Sequence, residues 1–142
     1  MTLTLDLARR LVDASLAKSV ALGLKPVAVA VLDARGCLKC FAAQEGTSLM
    51  RGEVAQGKAY GALALGMGSR AIFKRVQEQP FFIDAVNTLA RGAMIPVPGG
   101  VLIRDASREL LGAVGVSGDT SDNDELCALA GIEAIGLHSD TG

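Results

Sequence analysis

A lysine, an aspartate and two glycine-rich stretches are the residues of this chain whose types and spacing could do chemistry. Lys58 borders Ala55, Ala59 and Ala62, a stripe of small side chains at helical spacing. Asp124 falls on the same stripe as Cys127, Ala128, Gly131 and Ile135, a face patterned for burial. An inward carboxylate needs a partner, and Lys58 is the natural one. The pair has two readings: a structural ion pair, or an acid and base tuned for proton transfer or carboxylate binding. Pro98-Gly99-Gly100 joins a fixed φ to two permissive residues, so it turns sharply and can turn backbone N–H groups towards a ligand. A plain tight turn is the simpler reading of the same residues.

The run Leu110 to Gly118 alternates as a strand does, with Leu110, Gly112, Val114 and Val116 on one face and Leu111, Ala113, Gly115 and Ser117 on the other. The second face is almost bare towards its end. If Ala28 and Ala30 share it, the sheet has a shallow area for a closely packed helix, such as Arg51 to Leu65, or for a flat ligand. The candidate ligand-binding residues are therefore Pro98, Gly99, Gly100, Gly115, Ser117 and Gly118, and the candidate catalytic residues are Lys58 and Asp124. Ser121 and Asp124 stand at capping-box spacing at the start of the last helix. Asp119, Asp122 and Asp124 satisfy that helix dipole and disfavour phosphate, which excludes a nucleotide site.

Other motifs fail on context. Gly66-Met67-Gly68-Ser69-Arg70-Ala71 follows a helix rather than a strand, so it is no dinucleotide fingerprint. Cys37 and Cys40 have zinc-like spacing without a second pair, and no metal site is expected. His138, the only histidine, lies in the terminal segment, and no serine has a nucleophile-elbow context. Cys40 or His138 could ligate haem iron, although a buried small residue and an exposed tail are the plainer readings.

These residues need elements to position them. Apolar spacing and Gly23 predict a helix from about Thr4 to Ala21. Val27 to Leu32, the turn Asp33-Ala34-Arg35-Gly36 and Cys37 to Ala43 predict an antiparallel hairpin. A helix over Arg51 to Leu65 contains Gly57 and Gly61, each costing about 1 kcal/mol against alanine, so tertiary contacts must stabilise it. Ser69 can cap a helix through about Gln77, and Pro80 starts a short turn or helix near Phe81 to Leu89. Strands follow at Met94 to Val97, Val101 to Arg104 and Leu110 to Ser117, then a helix from about Asp122 to Leu137. The order predicts one α/β (α+β) domain over residues 1–142, a mixed, mainly antiparallel five-stranded sheet with helices on its faces.

Composition narrows the function. With 14 basic and 15 acidic residues spread along the chain, there is no one-sided positive field for nucleic acid or anionic lipid. No apolar run approaches the roughly 20 residues that span a bilayer, and no basic region precedes an apolar core at the amino terminus, so a cytoplasmic location is expected. Three cysteines without a secretory signal point to reduced thiols. The 17 glycines and the absence of tryptophan imply elements that approach closely, with little surface for stacking on bases.

Lys58-Ala59, Pro98-Gly99-Gly100-Val101-Leu102-Ile103 and Gly112-Ala113-Val114-Gly115-Val116-Ser117-Gly118, followed by Asp124 and Cys127-Ala128, resemble the GlcG/HbpS-like haem-binding family, also called the haem-degrading domain. The resemblance covers nearly the whole chain. It implies a profilin-like fold with a five-stranded sheet, a homo-oligomer, and a small-molecule ligand for which haem is one candidate, since some members bind haem and others occur beside catabolic enzymes. Where many members have Arg-Met-Asp-Gly-Ala after the second strand, this chain has Ala43-Gln44-Glu45-Gly46-Thr47, which removes an arginine suited to a ligand carboxylate. Three readings stand: a binding protein for haem or another flat ligand, an enzyme moving a proton on a small carbonyl or carboxylate metabolite, and a structural or assembly module.

Overall fold

The computed structural model describes residues 1–142. Thr4 caps α1 (Leu5–Ala21) by accepting from the Leu7 N–H, and Gly23, at φ +65°, ends it. A hairpin of β1 (Ala28–Asp33) and β2 (Leu38–Ala43) follows. Its turn is held by Asp33, whose Oδ1 accepts from the N–H groups of Arg35 and Cys37. Then come α2 (Arg51–Leu65), α3 (Ser69–Glu78) and α4 (Pro80–Leu89), and after them β3 (Gly100–Arg104), β4 (Leu110–Ser117), α5 (Ser121–Ala134) and β5 (His138–Asp140). The strands form one open sheet in the order β2-β1-β4-β3-β5, with every neighbouring pair antiparallel. This is the α+β, profilin-like arrangement. No helix is long and apolar enough to cross a membrane.

The two faces of the sheet are built from different residue sizes. On one, Val29, Val31, Val101, Ile103, Val114 and Val116 meet α1 and α5 in the main hydrophobic core. On the other, Ala28, Ala30 and Ala113 meet Ala55, Ala59 and Ala62 of α2. Small residues on both sides bring α2 almost onto the strands. A Cβ at Gly115 would lie 1.8 Å from the carbonyl oxygen of Ala55, so only glycine fits there.

Four expectations about the sheet need correction. Met94 to Val97 is not a strand: the Ile95 N–H bonds the Gly57 carbonyl, and the Met94 N–H and C=O bond the Asn87 side chain, so this backbone pairs with helices. The fifth strand is instead His138–Asp140, which pairs with β3 after α5 stops at Ala134 and Gly136 turns the chain at φ +72°. No parallel pair exists, so the sheet is not mixed. Leu111 is the extra residue of a bulge, because Ile103 faces Gly112 while Arg104 faces Leu110. The bulge sends Leu111 to the core with Val114 and Val116, and Leu110 to the α2 side, the reverse of strict alternation.

The α3–α4 hairpin stands beside this sandwich. Arg70 of α3 holds it to α5 through Glu125, with Nε 3.1 Å from each carboxylate oxygen, and through Asp122. α4 packs chiefly against α3 and leaves Phe81, Phe82 and Leu89 exposed.

Candidate functional site

Lys58 points from α2 towards the end of β4. Its Nζ donates to the Val116 carbonyl at 2.9 Å and to Asp124 Oδ2 at 3.0 Å. Asp124 Oδ1 accepts from the Asp119 N–H at 2.9 Å, so one carboxylate ties α2 to the loop that enters α5. The two side chains are only 2% and 1% exposed. Burial pushes the Lys58 ammonium down and the Asp124 carboxyl up, each opposed by the partner's charge. The ion pair forms, closed to solvent.

The glycine turn packs against this pair. Gly99 has φ +121°, and a side chain there would lie 2.8 Å from both Lys58 Nζ and the Val116 carbonyl. Ser69 is not the cap of α3; Gly68 holds that position, and Ser69 Oγ accepts from the Gly100 N–H at 2.7 Å and donates to its carbonyl at 3.1 Å. Pro98, Gly99, Gly100, Gly115, Ser117 and Gly118 are all buried. The structure thus gathers these residues around Lys58 and Asp124 and packs them closely. The backbone of α2 lies on Gly115 and Gly100, and Pro26 lies on Gly118. Close helix packing replaces the flat-ligand reading of this face. The capping box also fails: Thr120 caps α5 by accepting from the Asn123 N–H, which leaves Asp124 for Lys58.

At the rim of this packed region a cleft of about 250 Å³ is lined by Lys25, Arg51, Gly118, Asp119 and Thr120. Ala43, Ala28 and Ser117 form one cross-strand row beside it, and Arg51 Nη1 donates to Ser117 Oγ at 3.3 Å. Sequence reasoning missed Arg51, since one arginine at a helix start carries no pattern.

Two further grooves open elsewhere. One of about 300 Å³, between the β1–β2 hairpin and α2, is lined by Leu32, Leu38, Gln56 and Tyr60, with Glu53 and no cation. The other, about 410 Å³ at the β5 edge, is lined by Arg108, Leu129, Glu133, Leu137, His138 and Ser139.

The model of the haem-degrading HbpS-like family matches residues 3–133. The chain belongs to the HbpS-like family. No curated protein matches it in sequence. Its fold is similar to the crystal structure of HbpS, which is 25% identical with a TM-score of 0.80 over 94% of this chain and 89% of that one. It is also similar to the Klebsiella pneumoniae protein ORFY, 25% identical with a TM-score of 0.84 over 94% of this chain and 90% of that one. A complex of PduOC with haem is 24% identical, with a TM-score of 0.87 over 97% and 98% of the two chains, and shares the fold.

Haem needs an axial donor, an apolar wall and cations for its propionates. Within this HbpS-like chain the glycine-rich face has no room for it. Cys40 packs towards the main core and does not face a groove. The β5-edge groove holds all three kinds of group: the His138 imidazole, the Leu129 and Leu137 side chains, and the Arg108 guanidinium, which has no carboxylate partner. These groups are of the kinds haem takes, and the Glu133 carboxylate in the same lining is the one group set against a propionate.

Proposed function

We propose that this HbpS-like protein is a small-molecule-binding protein whose ligand is haem, taken at the β5-edge groove. The observation that carries the reading is the convergence of His138, Arg108, Leu129 and Leu137 on one groove. A neutral imidazole is a good ligand to iron, the two half-buried leucines offer apolar contact, and Arg108 suits a propionate. Bound haem would supply redox chemistry at its iron. The chain's contribution is to hold and orient the group.

The family match and the haem complex of a protein with the same fold support this ligand class. The filling of the small-residue face by α2 is what a purely structural module would have, and the groove is what separates the two readings. We read Lys58 and Asp124 as a structural ion pair rather than as the acid and base of a proton transfer, since neither side chain reaches solvent. We assign them, with Pro98, Gly99, Gly100 and Gly115, to packing, Gly118 to the lining of the Arg51 cleft, and Ser117 to holding Arg51 there. We also infer that copies of the chain assemble through α4, whose aromatic residues are exposed.

Haemin titration at micromolar protein is expected to give a saturable Soret change, and His138→Ala is expected to alter its position and weaken binding. An absence of saturation, or a spectrum and affinity unchanged in His138→Ala, would refute the assignment.

A further inference from the structure

Four arginines are half-buried: Arg51, Arg70, Arg75 and Arg104. Arg70 pairs with Asp122 and Glu125, Arg104 pairs with Asp140, and Arg75 lies over the Phe82 ring at 5.7 Å. Arg51 has neither a carboxylate nor a ring. The one hydrogen bond of its guanidinium goes to Ser117 Oγ, at the long distance of 3.3 Å. A guanidinium partly withdrawn from water and left without an anion is costly unless one is supplied.

The cleft around it is suited to supplying one. Lys25, on the opposite chain segment, adds a second cation and is in no salt bridge. Ser117, fully buried and outside the lining, accepts from Arg51 and anchors the guanidinium at the cleft. Asp119 is the one acid in the lining, and its carboxylate is turned into its own loop. Oδ2 accepts from the Lys25 backbone N–H at 3.0 Å, and Oδ1 accepts from the Thr120 N–H and Asn123 Nδ2, both at 2.8 Å. These bonds hold its pKa at about 2, so it is a fixed charge that two cations outnumber.

We propose that the cleft between Lys25, Arg51 and the Ser117–Thr120 loop is a binding site for a small carboxylate. The guanidinium takes the carboxylate in a two-point bond, Lys25 supplies the second charge, and buried Ser117 holds the guanidinium in place through its hydroxyl oxygen. A volume of about 250 Å³ is below the roughly 300–1,000 Å³ of drug-sized sites, which sets the ligand class as a small organic acid rather than a cofactor. Ala43 and Ala28 leave the strand side of the row clear of bulk. The site is separate from the proposed haem groove and shares no residue with it.

The test is titration of ¹⁵N-labelled protein with lactate, succinate and inorganic phosphate, read from amide shifts. Saturable shifts at Gly118, Asp119 and Thr120 are expected with lactate or succinate. Arg51→Gln is expected to weaken binding about tenfold or more, and Lys25→Gln about threefold. Lys25 is exposed, so its variant retains the fold and decides the matter should Arg51→Gln fail to fold. An absence of saturable shifts, saturation with phosphate alone, or unchanged affinity in the variant that folds would overturn the proposal. Haemin titration of Lys25→Gln reports on the other site independently and is expected to match wild type.

Discussion

Lys58 and Asp124 are charged groups in protein that is closed to water, and the cause of their displaced pKa values is burial ahead of their mutual attraction. Such a pair contributes little net stability, yet it is costly to break, since the surviving charge is then buried alone. Lys58→Met is therefore expected to lower stability by about 3–5 kcal/mol at neutral pH, measured by urea unfolding. The pH dependence has a definite sign. Without the lysine, the folded pKa of Asp124 rises further above its unfolded value of about 3.9. A raised acid penalises the folded state above the unfolded pKa and not below it, so the deficit narrows as pH falls towards about 4. Adding Asp124→Asn to Lys58→Met removes the orphaned charge while an amide oxygen still accepts from the Asp119 N–H. Most of the lost stability is expected to return. A deficit independent of pH, or no recovery in the double variant, would point to lost packing around the lysine stem instead.

Among the elements, α2 shows how a glycine's role depends on what lies above it. A Cβ at Gly61 would meet Met94 Cβ at 3.4 Å, an ordinary contact, whereas one at Gly57 would lie 2.5 Å from Ile95 Cγ1 and 3.0 Å from the Ala93 carbonyl. Alanine is favoured over glycine in a helix interior by about 0.5–1 kcal/mol. Gly61→Ala is thus expected to raise stability by up to about 1 kcal/mol, and Gly57→Ala to lower it by about 1–3 kcal/mol through overpacking. Urea midpoints moving in the same direction for both would contradict this spacing. The contrast also shows what the sequence could display. The alanine stripe of α2, the bare face of β4 and the Lys58–Asp124 pairing were legible because each is a repeat of size or charge at a regular period. Met94 to Val97 has strand composition, but its partner is the Gly57 carbonyl, and a partner on a distant helix leaves no local trace. His138–Asp140 is polar and three residues long, so its place in the sheet depends on the open edge of β3 rather than on its own propensity. The single extra residue of the Leu111 bulge likewise leaves the apolar pattern unchanged while reversing which leucine faces α2.

For the whole molecule, exposed apolar side chains occur on several elements, Val20 of α1 and Leu38 of β2 among them, and α4 adds a group of large ones: it buries Ile83 and leaves Phe81 72% and Leu89 85% exposed, with Phe82 beside them. A helix packed chiefly on one neighbour, with two aromatic residues and a leucine exposed, is the kind of surface that a partner covers. The formal net charge of -1 offers almost no repulsion between copies of the chain. A second copy can cover both α4 faces at once, because a two-fold contact sets the same patch against itself. Wild-type protein is therefore expected to elute, with light-scattering detection, at a multiple of the 14.6 kDa chain mass. Phe81→Asp with Leu89→Asp should reduce it to one chain mass, because charges buried face to face in such a contact have no partner. Neither residue anchors α4, as Ile83 does, so the circular dichroism of the variant should match wild type. Wild type at one chain mass would end the self-assembly reading. A double variant that stays assembled would move the contact from α4 to another surface, with exposed Leu49 and Met50 before α2 the next to substitute.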